Sequence, residues 1–203
     1  MTPSADVARA LERIAEIHGH LDRGEVYRGY HPKLVALTGL LGIGAAAAQP
    51  WLLPAPDGGA FLLYWISIAA ANLVIHWTTM LSGYIREDEV GRRRTRRVVG
   101  QFVPSVVAGG MLTAGSAAAF PSAVAALPGL WAITFALGVF SSRPYLPRYI
   151  GWVGLWYLAS GGFLLSQSSA SFSALGAWLG AVFGFGQLGA ALVLSLDRRR
   201  NES

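Results

Sequence analysis

The sequence predicts an all-α, polytopic transmembrane bundle of six helices, arranged as three hairpins and preceded by a cytoplasmic amphipathic helix. Three observations carry this reading. Only 13% of the 203 residues are charged and 53% are hydrophobic, about half the charge content of a soluble domain, where roughly 25% is usual. The charges are clustered: 34–85 holds one, Asp57, whereas 98–142 and 149–196 hold none. Each interval is too long for a single crossing, which takes about 20 apolar residues, and is right for two with a tight turn.

Taken in chain order, 1–32 is the amphipathic N-terminal segment. Ser4 is a suitable N-cap for a helix over 4–23. Val7, Leu11, Ile14, His18 and Leu21 recur at heptad-like spacing among charged residues of both signs. That balance suits docking on a protein better than adhesion to anionic lipid. Gly24 and Gly29 break the helix, and Pro32 suits the first turn of the next one. The transmembrane domain covers 33–197, with spans at about 34–53, 60–85, 98–119, 123–141, 149–166 and 172–196. The turns between partners fall at Pro54–Pro56–Asp57–Gly58–Gly59 positions, at Phe120, Pro121 and Ser122, and at the serine-rich run 166–171. A short tail, 198–203, follows. Alternating strands of an outer-membrane barrel are absent and the apolar segments are twice too long for them.

Orientation follows from the basic residues. All 16 lie before the first span, between the second and third, between the fourth and fifth, or in the tail. The three other connections hold none, so the positive-inside rule puts both termini in the cytoplasm. The N-terminus has no basic patch leading into an apolar core, so the first span is expected to act as an uncleaved insertion signal. The expected location is a bacterial inner membrane. The run GRRRTRR at 91–97 resembles a nucleic-acid patch, yet a twelve-residue loop has no room for a reading domain. Arg92, Arg93, Arg94, Arg96 and Arg97 are instead expected at anionic lipid headgroups, and no nucleic-acid partner is expected.

Few residues carry chemistry. The chain has no cysteine, which removes disulfides, thiolate metal sites and cysteine nucleophiles. No phosphate loop, GxSxG or HExxH motif is present. His18 and His20 are two apart and point to different helix faces, so no metal site is expected. The second span holds Asn72, His76 and Thr79 at i, i+4 and i+7, with Trp65, Ala69 and Gly83 on the same stripe. Intramembrane histidines are costly and need a partner; Gln101 and Gln187 are the candidates. Counting from the inner end of the span puts His76 about 13–14 Å deep. Gly176, Gly180 and Gly184 form a ridge at four-residue spacing that lets helices approach closely, either within the bundle or between copies. Ser105, Gly109, Thr113 and Ala117 form a similar row. Trp51, Trp65, Tyr84, Tyr145, Tyr149 and Trp152 are expected at the interfaces.

The stretches QFVPSVVAGGMLTAG (101–115), LPGLWAITFALGVFSSRPYLPR (127–148), VGLWYLASG (153–161) and FGFGQLGAALVL (183–194), with RGYHP before the first span, are similar to a group of uncharacterised bacterial six-span inner-membrane proteins. The resemblance covers most of the chain. It implies the same topology and no activity, and it puts Gln101, Gln187 and 143–148 among the positions on which the pattern rests.

The first functional reading is a non-enzymatic membrane component without a cofactor, which contacts a cytoplasmic protein partner or forms a homo-oligomer. The alternative is a small-solute permease or channel using the polar stripe. The third is a haem- or quinone-binding redox subunit, for which one intramembrane histidine is few.

Overall fold

The computed structural model describes residues 30–86 and 89–202. The segment expected to form the amphipathic helix, with His18 and His20, lies outside them. Six α-helices follow in order: α1 Pro32–Leu52, α2 Gly58–Arg86, α3 Glu89–Ala119, α4 Leu127–Ser142, α5 Ile150–Ser166 and α6 Phe172–Glu202. The described residues contain no strand. Five helical stretches are long and apolar enough to cross a membrane; α5, with 17 residues, is shorter. At 1.5 Å per residue α5 is about 26 Å long, near the lower limit for a crossing.

The helix ends follow local chemistry. Pro32 opens α1 behind His31, whose carbonyl takes the Leu34 and Val35 N–H groups. Asp57, the lone charge of its region, caps α2: its Oδ1 accepts the Ala60 N–H at 2.7 Å, satisfying one of the orphan donors of a helix start. A 3-10 turn, Pro121–Ala126, leads into α4, and Pro128 lies in that helix's first turn. Ser171 Oγ accepts the Ala174 N–H at the start of α6.

The connection expected as a loop over 86–97 is largely helix. Helix α2 ends at Arg86 and α3 begins at Glu89. Arginine favours helix, and Glu89 both suits the positive end of α3 and pairs with Arg93 one turn on.

Packing does not follow chain neighbours alone. The closest pair is α1 with α6, the first and last helices, followed by α4 with α5 and α3 with α4. Glycines explain the first. A Cβ at Gly180 would lie 2.7 Å from the Gly42 carbonyl oxygen, and one at Gly39 would lie 2.8 Å from that of Gly184. The two backbones therefore touch across Gly39 and Gly42 on α1 and Gly180 and Gly184 on α6, which dispersion in lipid rewards. One core cluster joins Phe61, Leu62 and Trp65 of α2 to Leu127, Leu175 and Leu179. A second joins α4, α5 and α6 through Ala132, Ala136, Val153, Tyr157 and Val182. Helices α2 and α3 stay at the margin: 17% and 6% of their most apolar stretches are buried, against 44% for the stretch containing α4.

Candidate functional site

All four basic segments of the described chain gather at one end of the bundle. Arg198 of α6 donates to the Tyr30 carbonyl at 3.0 Å, joining the tail to the start of α1. Arg200 lies over the Tyr149 ring, 5.7 Å from its centroid, joining the tail to the connection between α4 and α5. Phe102 of α3 lies against Gly138 near the same end of α4, where a Cβ would sit 2.7 Å from its ring.

The polar stripe of α2 turns inward on itself. Asn72 donates through Nδ2 to the Ile68 carbonyl at 2.9 Å, and its Oδ1 is buried with no partner among the described residues. His76 Nδ1 stands 3.1 Å from the Asn72 carbonyl. An N–H facing a carbonyl requires the proton on Nδ1, which leaves Nε2 as the acceptor of the neutral ring. The side chain of Thr79 lies outside the described residues. His76 also meets Tyr30 edge to face, with ring centroids 6.5 Å apart. Tyr30 precedes the first residue of α1, so His76 stands level with the start of α1. Helix α2 has 29 residues, about 43 Å, and continues past that level to Arg86.

The two glutamines expected to complete the stripe lie elsewhere. Gln101 is exposed on α3. Gln187 is half-buried on α6 and neighbours Gly39 of α1 and the Tyr157 hydroxyl of α5. That hydroxyl donates to the Phe183 carbonyl at 3.2 Å. No hydrogen bond among the described residues joins Gln101 or Gln187 to Asn72 or His76.

A buried polar node that the sequence reading passed over lies at the opposite end. Gln49, 1% exposed, accepts the Trp65 indole N–H at 3.0 Å and donates to the Phe172 carbonyl at 3.2 Å. Trp65, expected at the lipid interface, is 5% exposed; its N–H finds a protein acceptor and needs no water. Gly176 sits against the Gln49 amide. The signal available was Gln49 itself, a lone amide in an alanine- and glycine-rich span.

The arginine run forms a cationic face. Arg92 donates to the Tyr84 and Ile85 carbonyls at 3.2 and 3.4 Å and lies over the Tyr84 ring, so it ties α3 to the last turn of α2. Arg93 pairs with Glu89. Arg96 and Arg97 are exposed and have no ion pair among the described residues. The Arg94 side chain lies outside the described residues. An open groove of about 440 Å³ between α5 and α6 is lined by Trp156, Ser160, Phe163, Trp178, Val182 and Phe185 and is almost wholly apolar. Among the described residues no three His, Asp or Glu gather as a metal-binding group. No known protein family, curated protein or solved structure matches the chain.

Proposed function

We propose that this chain is a six-span, multi-pass protein of a bacterial inner membrane, with both termini in the cytoplasm, of the kind its sequence resembles. In this reading it is a non-enzymatic membrane component. Its basic end meets anionic headgroups, and its N-terminal segment meets a cytoplasmic protein partner or a second copy. One observation carries it: among the described residues, the basic residues of four separate segments share one end of the bundle, with Arg198 tied to Tyr30 and Arg200 to Tyr149, while Asp57 is the single described charge at the other end. Positive charge is retained on the cytoplasmic side during insertion, so that end is the inner one. Five stretches long and apolar enough to cross, with α5 as the sixth, supply the spans.

The absence of cysteine gives a clean test. Single substitutions Ser122→Cys and Ser169→Cys should react with an impermeant maleimide on intact spheroplasts, and Arg148→Cys only after lysis. The reverse pattern, or labelling of all three from outside, ends the topological reading.

A further inference from the structure

We propose that the outward face of α3 at Arg96, Arg97, Gly100 and Gln101 is a binding site for one anionic phospholipid headgroup, of the phosphatidylglycerol class. The proposal rests on the membrane reading above and gives the arginine run a defined geometry in place of a diffuse charge.

Depth comes first. Helix α2 ends at Arg86 and α3 begins at Glu89, with Arg92 of α3 in contact with the Tyr84 and Ile85 carbonyls of α2. His76 is level with the start of α1 through Tyr30, so α2 runs on past that level to Arg86. The length of α3 gives its own depth. Helix α3 has 31 residues, about 46 Å, which exceeds a ~30 Å hydrocarbon core by about 11 residues. With Ala119 at the far boundary, the core begins near Gly100. Arg96 and Arg97 are therefore at phosphate level, and Gly100 and Gln101 lie one turn, about 6 Å, deeper, where the glycerol esters of a phospholipid sit.

Direction comes next. Among the described side chains of α3, Thr95, Val98 and Ser116 are buried, and Thr113 accepts the Trp131 indole N–H of α4, so this side faces the bundle. At 100° per residue, Arg93, Arg97, Gly100, Pro104, Val107 and Met111 lie on the opposite side, and all are exposed. Arg96 and Gly100 are one-turn neighbours, as are Arg97 and Gln101. The four form a patch with two cations above and a notch and an amide below.

The chemistry fits a hydroxylated phosphodiester. Two guanidinium groups with no carboxylate partner among the described residues offer forked donors to phosphate oxygens. A Cβ at Gly100 would meet nothing within 4 Å, so the helix is indented and open there. Pro104 withholds the N–H that would cover the Gly100 carbonyl, leaving an acceptor for a headgroup hydroxyl. Gln101 can donate to an ester carbonyl. Val107 and Met111, 53% and 71% exposed, continue the face toward the acyl chains.

The test is native mass spectrometry of the full chain in detergent, titrated with an equimolar mixture of phosphatidylglycerol and phosphatidylcholine of identical acyl chains. Wild type should retain phosphatidylglycerol preferentially. The double variant R96Q/R97Q should lose about 30-fold in that preference, and Gly100→Leu should weaken retention with every charge intact. R199Q/R200Q, which removes the same charge from the tail, should behave as wild type. Melting temperatures of R96Q/R97Q and Gly100→Leu should not fall below wild type, since these residues are exposed; R199Q/R200Q loses the Arg200–Tyr149 contact and is read on lipid retention alone. Equal retention by R96Q/R97Q, or an equal loss in R199Q/R200Q, overturns the site. Displacement of the lipid by millimolar inorganic phosphate overturns the lipid in favour of a free anion. A detergent assay has no sidedness, so its failure leaves the topological reading standing.

Discussion

Trp65 and Gln49 are joined by a 3.0 Å hydrogen bond from the indole Nε1 to the amide Oε1, with both side chains buried. The same amide donates to the Phe172 carbonyl at the start of α6. One side chain of α1 thereby ties α2 and α6 together at the end opposite the arginines. In a low-dielectric interior an unmade bond costs more than the bond contributes, so this node holds the otherwise loosely packed α2 against the bundle.

Gln49→Leu leaves the buried Trp65 N–H without its acceptor and removes the bond to the Phe172 carbonyl, which keeps the N–H of its own helix. It should destabilise the protein by about 1–3 kcal/mol. Thermal melting in detergent checks this, together with the Trp65 near-ultraviolet dichroism. Gln49→Glu keeps one acceptor and should lose less than Leu only at a pH low enough to protonate it.

Gly129→Ala should separate α4 from α5. Its Cβ would sit 2.7 Å from the Gly161 carbonyl oxygen and 2.8 Å from the Leu165 nitrogen, which are backbone atoms that cannot swing aside. A loss of about 1–3 kcal/mol is expected. Gly162→Ala meets nothing within 4 Å and should be neutral or slightly stabilising through helix propensity. Parallel melting curves distinguish the two.

Thr113→Val removes the acceptor of the Trp131 indole N–H, a 2.8 Å bond between α3 and α4. Interhelical hydrogen bonds in membranes average about 0.6 kcal/mol, so a small loss is expected. Helix α3 has few other buried contacts, and hydrogen exchange should rise along α3 more than along α4. Uniform exchange across both helices would show that the bond does not hold α3.

Arg92→Ala frees the Tyr84 and Ile85 carbonyls that the guanidinium covers. The site is exposed, so global stability should change by about 0.5 kcal/mol or less. Exchange at the end of α2 and the first turn of α3 should quicken locally, and mass-resolved hydrogen exchange reads that out directly.

Much of the helix inventory was legible because charge gaps and turn residues are local. Helix ends at Leu52, Ala119 and Ser166 fall within a residue of the expected segment ends, since Pro54, Phe120–Pro121 and the serine run stop helices by their own chemistry. The error at 86–97 has an equally local cause. A dense arginine run reads as loop when polarity is used as the signal, although arginine is a good helix former.

The candidate polar residues were harder to place. Asn72 and His76 share a face by spacing alone, and they do interact. Gln101 and Gln187 are amides in other spans, and a residue type within a span does not specify which way its helix faces. Gln49, an amide beside Pro50 at a span end, carries no local sign of burial; its burial by Trp65, Phe172 and Gly176 depends on two other helices, α2 and α6.

By itself the sequence determined that this chain is helical, apolar along five or six segments, and basic at one set of connections, because those properties belong to single residues and their neighbours. Only the tertiary structure decided that the first helix packs on the last, that Trp65 is buried, that His76 stands level with the start of α1, and that Arg96 and Arg97 face away from the bundle. Those are relations between segments far apart in the chain. They are set by which glycine rows let backbones meet and which buried donors find acceptors, and neither condition is written in a local stretch of residues.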